Sequence, residues 1–355
     1  MKPFFLSSSP EAKSQITQLT PLFYFGQRES IVADLFLLLG NKKYQCLYDP
    51  FAGSGSVSFA AMEEDIASDY SLNDSFPVFK YLWEMIKASP GEFISEYTAY
   101  LTNYCAQAKN NRVAFYNRAL SDFNHALSSG FYAKSALLFA FLINFADKNM
   151  PLFDQQLHLT TQANVFINIE DEKKNLDKFK ERTERLHHLL NKYKTNFSSG
   201  DFLPCLETAS KGDLVILDPP YPAQASNVYY KINEEKILQN NLRIAIKELK
   251  KRDVDLVILY GARRVLLENQ LNDEELELQH LIRLSTHRTF GYFLDHIYIS
   301  KNIASQLQQL PPGMAHYDTF FSSESVMTEE QYEKALNTLQ HQKEESSPAR
   351  IASKL

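Results

Sequence analysis

Residues 213–221 read Asp-Leu-Val-Ile-Leu-Asp-Pro-Pro-Tyr. Leu214 to Leu217 is an unbroken apolar run of strand length, the pattern of a strand buried on both faces of a parallel sheet. Asp218 stands where that strand should end. Pro219 and Pro220 stop any helix or ladder and leave carbonyls without N–H groups beside them. Tyr221 follows with a flat ring. A carboxylate, a stiff turn with free acceptors and an aromatic face suit a flat base that carries an amino group.

Upstream, Leu47-Tyr48-Asp49 reads as the end of a short strand. It runs into Pro50-Phe51-Ala52-Gly53-Ser54-Gly55-Ser56-Val57. Glycine lets backbone approach a ligand closely. A small-residue turn that opens a helix also presents unpaired N–H groups. A tight strand-to-helix turn would need the same residues without any ligand. Asp74, 19 residues after Gly55, ends a second expected strand. An acid at that spacing is the usual partner of a ribose hydroxyl pair. Asp69 is the alternative for that role. The glycine spacing lacks the full dinucleotide fingerprint, which disfavours a dehydrogenase. A third acid, Asp201, follows a short strand and loop over 196–201 and lies 17 residues before Asp218.

The chain has 355 residues, 44% hydrophobic and 23% charged, with a net charge of −6. That is ordinary for a soluble globular protein and allows a large core. It excludes a globally basic DNA-coating protein and leaves room for a local basic cleft. Cys46, Cys105 and Cys205 lie far apart without metal spacing and read as reduced thiols of a cytoplasmic protein. No run approaches about 18 apolar residues, so no membrane partner is expected. Helices are expected over 31–39, 76–87, through much of 91–150, 170–194, 234–251 and from Thr328 to about Gln342. Thr328 and Gln331 form a capping-box pattern there. Residues 151–169 look irregular or β, and His187-His188 reads as surface rather than metal. Leu256–Leu259, Leu281–Arg283 and Ile297–Ile299 read as strands, and 303–325 as loop. Arg112, Asn117, Arg118 and Asn124 are of the types that read base edges, and are equally ordinary on a solvated helix. His287 and Arg288 sit in a turn that could touch phosphate or serve as a plain surface hairpin.

Together, the α/β alternation, Asp49-Pro50-Phe51-Ala52-Gly53-Ser54-Gly55 and Asp218-Pro219-Pro220-Tyr221 resemble the Dam-type class of DNA adenine methyltransferases. The resemblance spans roughly residues 20–302. It implies an α/β fold: a Rossmann-like S-adenosylmethionine-dependent methyltransferase sheet with an inserted, mainly helical target-recognition domain. The division it implies is a discontinuous catalytic domain over 20–85 and 196–302, the insertion over 86–195, and a C-terminal extension over 303–355 with one helix. Phe23-Tyr24-Phe25-Gly26-Gln27-Arg28 matches the family's first motif, Lys-Trp-x-Gly-Gly-Lys, with Tyr24 for the Trp and Arg28 for the Lys. The implied cofactor residues are Tyr24, Gly26, Arg28, Asp49, Phe51, Gly53, Gly55, Asp74, Asp201 and Asp218. Gly53 and Gly55 would line the methionine part, Asp74 the ribose and Asp201 the adenine. The family's Asn-Gly-Leu-x-Arg is replaced by Phe145-Ala146-Asp147-Lys148, so the recognised DNA sequence is not implied.

The expected chemistry follows. An adenine amino nitrogen is a poor nucleophile because its lone pair is delocalised into the ring. The Asp218 carboxylate and Pro219 carbonyl would accept its two N–H bonds, and the methyl group would come from a sulfonium without a metal. Such a base must leave the duplex, and Tyr221 would stack on it, with Pro220 stiffening the turn. Double-stranded DNA is the expected partner, with a restriction endonuclease acting on the same site as a further one, in a bacterial or phage-infected cell. Cytosine-N4 or RNA amino methylation, and a non-catalytic nucleic-acid-binding relative, are the rival readings.

Overall fold

The computed structural model describes residues 19–22, 29–147, 151–154, 158–164, 169–220, 232–262, 276–287, 291–321 and 328–345. Among them, eight strands form one sheet: β1 (Tyr44–Asp49), β2 (Ala67–Asp74), β3 (Lys194–Ser199), β4 (Leu214–Leu217), β5 (Asp255–Ala262), β6 (Gln279–His287), β7 (Gly291–Ile299) and β8 (Met314–His316). Their order is β3-β2-β1-β4-β5-β7-β6-β8. The first five are parallel, and β7, β6 and β8 run antiparallel. All five parallel strands therefore end on one edge, and the strand order reverses between β1 and β4. Such a switch point opens a crevice at the carboxyl edge of the sheet.

The period-2 alternation of β4 and β5 explains why their runs are apolar throughout. Leu214, Ile216, Val257 and Leu259 face one core. Val215, Leu217, Leu256 and Ile258 face another. The first core is covered by α1 (Glu29–Leu39), α2 (Ser56–Glu63), α3 (Pro77–Ala88) and the helices beyond it. Those are α4 (Pro90–Ala106), α5 (Arg112–Ser128), α6 (Tyr132–Asn144) and α7 (Ile169–Lys192), joined by many rings, such as Tyr97 stacked on Phe179 at 3.8 Å. The second core is covered by α8 (Leu203–Leu206) and α9 (Ile232–Lys251), which buries Leu242, Ala245, Ile246 and Leu249. Prolines open α3 and α4 at positions where a helix needs no N–H donor. Gly40, at φ 61, ends α1 as expected of a C-terminal cap.

Two expectations change. The strands expected over 281–283 and 297–299 are nine residues each and make one long hairpin. Residues 303–325, expected to be loop, begin within the short helix α10 (Lys301–Ala304) and contain β8, which extends the sheet. The capping box at Thr328 and Gln331 does form, at 3.0 and 3.2 Å. The helix it starts, α11 (Glu329–Glu345), packs with Ile282, Leu284 and Leu294 in a third core. Between α6 and α7, the stretch expected to be irregular or β carries two isolated bridges, Ala146 to Ala163 and Phe153 to Leu159. His187 Nδ1 lies 3.0 Å from the Ile86 carbonyl. No group of His, Cys, Asp and Glu that could hold a metal occurs among the described residues, and no described helix is long and apolar enough to cross a membrane.

Candidate active site

Strand register brings three carboxylates to one edge. Asp49, the last residue of β1, pairs with Leu72, two residues before Asp74. On the other side, Tyr48 pairs with Val215, three residues before Asp218. The crevice between β1 and β4 therefore has Asp49 at its floor, with Asp74 and Asp218 on either side.

Asp49 is buried, and its Oδ2 accepts a 2.6 Å hydrogen bond from Ser58 Oγ, in the first turn of α2. Burial pushes its carboxyl up to about 7, the charges of Asp218 and Asp74 push the same way, and the Ser58 bond opposes them. Asp74 is half-buried. Its two oxygens accept N–H bonds from Phe76 and Gly53, each 2.8 Å, which offset part of the burial that raises it to about 6. Burial is the first cause of both shifts, and the two acids stand side by side at the strand ends.

The turn after β1 needs glycine for its backbone and its packing. Gly53 and Gly55 have φ of 50° and 74°, in the left-handed region. A Cβ on Gly55 would sit 2.3 Å from the Phe59 ring, and one on Gly53 would point toward Asp74 Oδ2 at 3.9 Å. Beside the turn, Phe51 lies 4.9 Å from the buried Phe202 ring, an apolar wall between the first strand and the loop after β3. Asp201 is exposed and caps α8 through the Leu203 N–H at 3.0 Å. Gly200 ties that loop to the Asp74 carbonyl at 3.1 Å. Asp218 and Pro220 are half-buried and Pro219 is buried, directly after β4.

Asp49, Phe51, Gly53, Gly55, Asp74, Asp201, Asp218, Pro219 and Pro220 thus belong to one edge. Tyr24, Gly26, Arg28, Tyr221 and Arg288 lie outside the described residues. Asp69, the alternative to Asp74, is five residues back along β2 and faces Lys194 at 3.3 Å. The candidate DNA readers do not converge. Asn117 and Arg118 are exposed on α5, and the Arg112 Nε–H bonds the Gln107 carbonyl at 3.2 Å. The Asn124 amide is occupied on both edges by the Leu159 backbone, at 2.9 and 2.8 Å, and so supports the loop before α7. His287 pairs with Gly291 at the last rung of the long hairpin.

One residue that matters here, Asn73, matches the first position of the family's Asn-Asp-Ile-Asn segment, a match that by itself assigns it no role. Asn73 is buried, and its Nδ2 bonds the carbonyls of Pro50 and Gly200, each at 3.2 Å. Its Oδ1 accepts from Ser198 Oγ at 2.9 Å. One amide therefore ties together the ends of β1, β2 and β3. An Asn at a strand end is common, and its role shows only in its three distant partners.

Fold and site together define a Rossmann-like methyltransferase: a parallel sheet with a reversed antiparallel end, a glycine turn after β1 and an acid-proline turn after β4. The model of the D12 class N6 adenine-specific DNA methyltransferases matches residues 24–289, and the chain belongs to that family. Membership makes the enzyme an adenine-specific DNA methyltransferase, with S-adenosylmethionine as methyl donor and DNA as substrate. No curated protein matches the chain. Among solved structures, the rRNA methyltransferase AviRa of Streptomyces viridochromogenes is 12% identical, covering 82% of this chain and 88% of its own, with a TM-score of 0.31. The proposed methylase HI0767 of Haemophilus influenzae is 14% identical, covering 77% and 96%, with a TM-score of 0.24.

Proposed function

We propose that the chain methylates N6 of an adenine turned out of duplex DNA at a specific site, with Asp218 and the Pro219 carbonyl accepting the two amino N–H bonds. The observation that carries this reading is the register that sets the Asp218-Pro219-Pro220 turn beside the Asp49 and Gly53–Gly55 edge. Two acceptors on the amine favour a more pyramidal nitrogen whose lone pair is available. Pro219 and Pro220 keep the acceptors fixed, so positioning and placed dipoles supply most of the rate. Tyr221 is the stacking surface for the base.

S-adenosylmethionine supplies an activated methyl group on a positively charged sulfur. The residues present fit that group: a backbone cradle at Gly53 and Gly55 with no room for a Cβ at Gly55, two raised carboxyls for its cation and hydroxyls, and the Phe51–Phe202 wall for a flat ring. Asp74 retains a lone pair on each oxygen beyond the backbone bond it takes. Tyr24, Gly26 and Arg28 complete the cofactor side. We assign target reading to residues 86–195, through Arg112, Asn117 and Arg118, and to the hairpin with His287 and Arg288; Asn124 acts there as a support. A cognate endonuclease of the same specificity is compatible with this role.

The test is genome-wide mapping of N6-methyladenine in cells that express the protein or its Asp218→Ala variant. Methylation at one recurring site with the parent and none with the variant is expected, and calorimetry should show that the variant still binds S-adenosylmethionine. Full methylation by Asp218→Ala would sink the assignment.

A further inference from the structure

The long hairpin leaves the sheet at one rung. Arg283 pairs with Asp295 across β6 and β7. Asp295 also faces Ala262, the last residue of β5, and Arg283 faces Met314, the first residue of β8. Among the described residues, these are the last pairings of β5 with β7 and of β8 with β6. Beyond it, among the described residues, β6 and β7 continue as a pair, through Thr286 with Tyr292 and His287 with Gly291. Because β7 is antiparallel to β5, this ribbon points past the carboxyl edge, where the site lies. Four residues beyond the last β5 pairing reach about 13 Å.

A two-stranded ribbon alone is marginally stable, and this one is braced on several sides. At its base the Arg283 guanidinium is buried. Its Nε–H bonds Asp34 Oδ2 of α1 at 2.8 Å, and it also bonds Ser285 Oγ, which donates to Asp295. One rung up, the two backbone N–H groups are both taken by the C-terminal segment. Leu284 N–H bonds the Gly313 carbonyl at 2.8 Å, and Leu294 N–H bonds Tyr332 Oη at 3.1 Å. Leu284 and Leu294 pack with Tyr332, Ala335 and Leu339 of α11. Above this clamp, Tyr292 is 45% exposed, a large ring held out at the end of a braced arm.

We propose that the β6–β7 ribbon is a second DNA-contacting arm, with the Tyr292 ring as its contact, and that β8 and α11 exist to hold it. The proposal rests on the reading of the chain as a DNA methylase and gives the C-terminal segment a role in it. Duplex DNA is the occupant because the arm overhangs the edge where the target base must arrive, and because a two-stranded ribbon fits a major groove about 12 Å wide. A phenol ring offers flat area with little conformational freedom to lose, as a base or sugar contact requires.

Initial rates of tritiated methyl transfer to plasmid DNA test it. Stacking losses of about 1–3 kcal/mol per base predict that Tyr292→Ala raises KM for DNA about five-fold or more. The Kd for S-adenosylmethionine and the Tm stay at parent values, and Tyr292→Phe restores KM to within about two-fold. Tyr332→Phe, which loosens the clamp, raises KM for DNA as well, a change that a purely structural role of α11 would not produce. An unchanged KM in Tyr292→Ala overturns the proposal. So does a dimer that this variant breaks in sedimentation, because the ring would then serve a second copy. If the parent transfers no methyl group, the methylase reading fails by itself. A gel-shift titration of the same plasmid then still decides the arm, since weaker binding by Tyr292→Ala supports it and equal binding refutes it.

Discussion

Asn73→Ala should loosen the edge on which the site is built. The substitution removes three hydrogen bonds, two to the Pro50 and Gly200 carbonyls and one from Ser198. Each is worth about 1 kcal/mol net, and leaving a buried partner unsatisfied costs at the upper end of that range. Asn73 is only 3% exposed, so water does not readily replace them. The expected loss is about 3 kcal/mol, read as a lower urea midpoint at unchanged m. Because Pro50 leads into the glycine turn and Gly200 into Asp201, affinity for S-adenosylmethionine should fall with it. Asn73→Asp separates geometry from volume. It keeps the size and sets a buried carboxylate against two carbonyl oxygens, so it should cost at least as much as Ala. A loss below about 1 kcal/mol in Asn73→Ala, with parent affinity for the cofactor, would refute the claim that this amide organises the edge. An Asn73→Asp protein as stable as the parent would refute the donor assignment.

Gly55→Ala forces a side chain into left-handed backbone and toward the Phe59 ring at 2.3 Å. It should cost about 2–4 kcal/mol in thermal or urea unfolding, and Phe59→Leu in the same chain should recover part of it; no recovery would place the cost elsewhere. Asp49 is raised from 3.8 to about 7, so the folded chain keeps a proton that the unfolded chain has lost across that window. Its contribution to stability therefore declines as pH rises from about 4 toward 7. Asp49→Asn should flatten this decline and raise Tm at pH 8, and equal parent and variant slopes in urea titrations at pH 5 and 8 would refute the burial of this charge. Arg283→Met leaves Asp34 and Asp295 buried without their cation and should destabilise by about 3–5 kcal/mol; a shift under about 1 kcal/mol in calorimetry would show that water reaches the network.

The parts of the site legible in sequence are those whose cause is local. An unbroken apolar run marks β4 because both faces of that strand are covered. Gly53 and Gly55 mark a turn because their φ values suit glycine. Asp218 marks a strand end because it follows an unbroken apolar run. What was not legible depends on distant partners. In β6, the run His280, Arg283, Ser285 and Thr286 hides a nine-residue strand. Arg283 is tolerated there only because Asp34, 249 residues away, meets it. The short strand β8 has too few residues to show a period. Asn124 has the right chemistry for a base reader, yet its amide closes on Leu159, which sequence spacing could not show.

The same contrast separates the two halves of the enzyme's task. In the proposed reading, cofactor and amine are held by the edge of one continuous sheet, where register fixes which side chains meet: a shift of one residue in β1 against β4 would turn Asp49 to the opposite face. That half needs a few residue types at fixed places, and it reads directly from the chain. In the proposed reading, the DNA is met by other surfaces, on α5, on the loop that Asn124 supports and on the β6–β7 arm. The arm is positioned by contacts between segments far apart in sequence, Asp34 with Arg283 and Leu294 with Tyr332. Changes in those contacts should alter which DNA is bound, or how tightly, while the Asp218-Pro219-Pro220 turn keeps its geometry. In this reading specificity can diverge on the fold without disturbing the chemistry, because the two are supported by different segments of the chain.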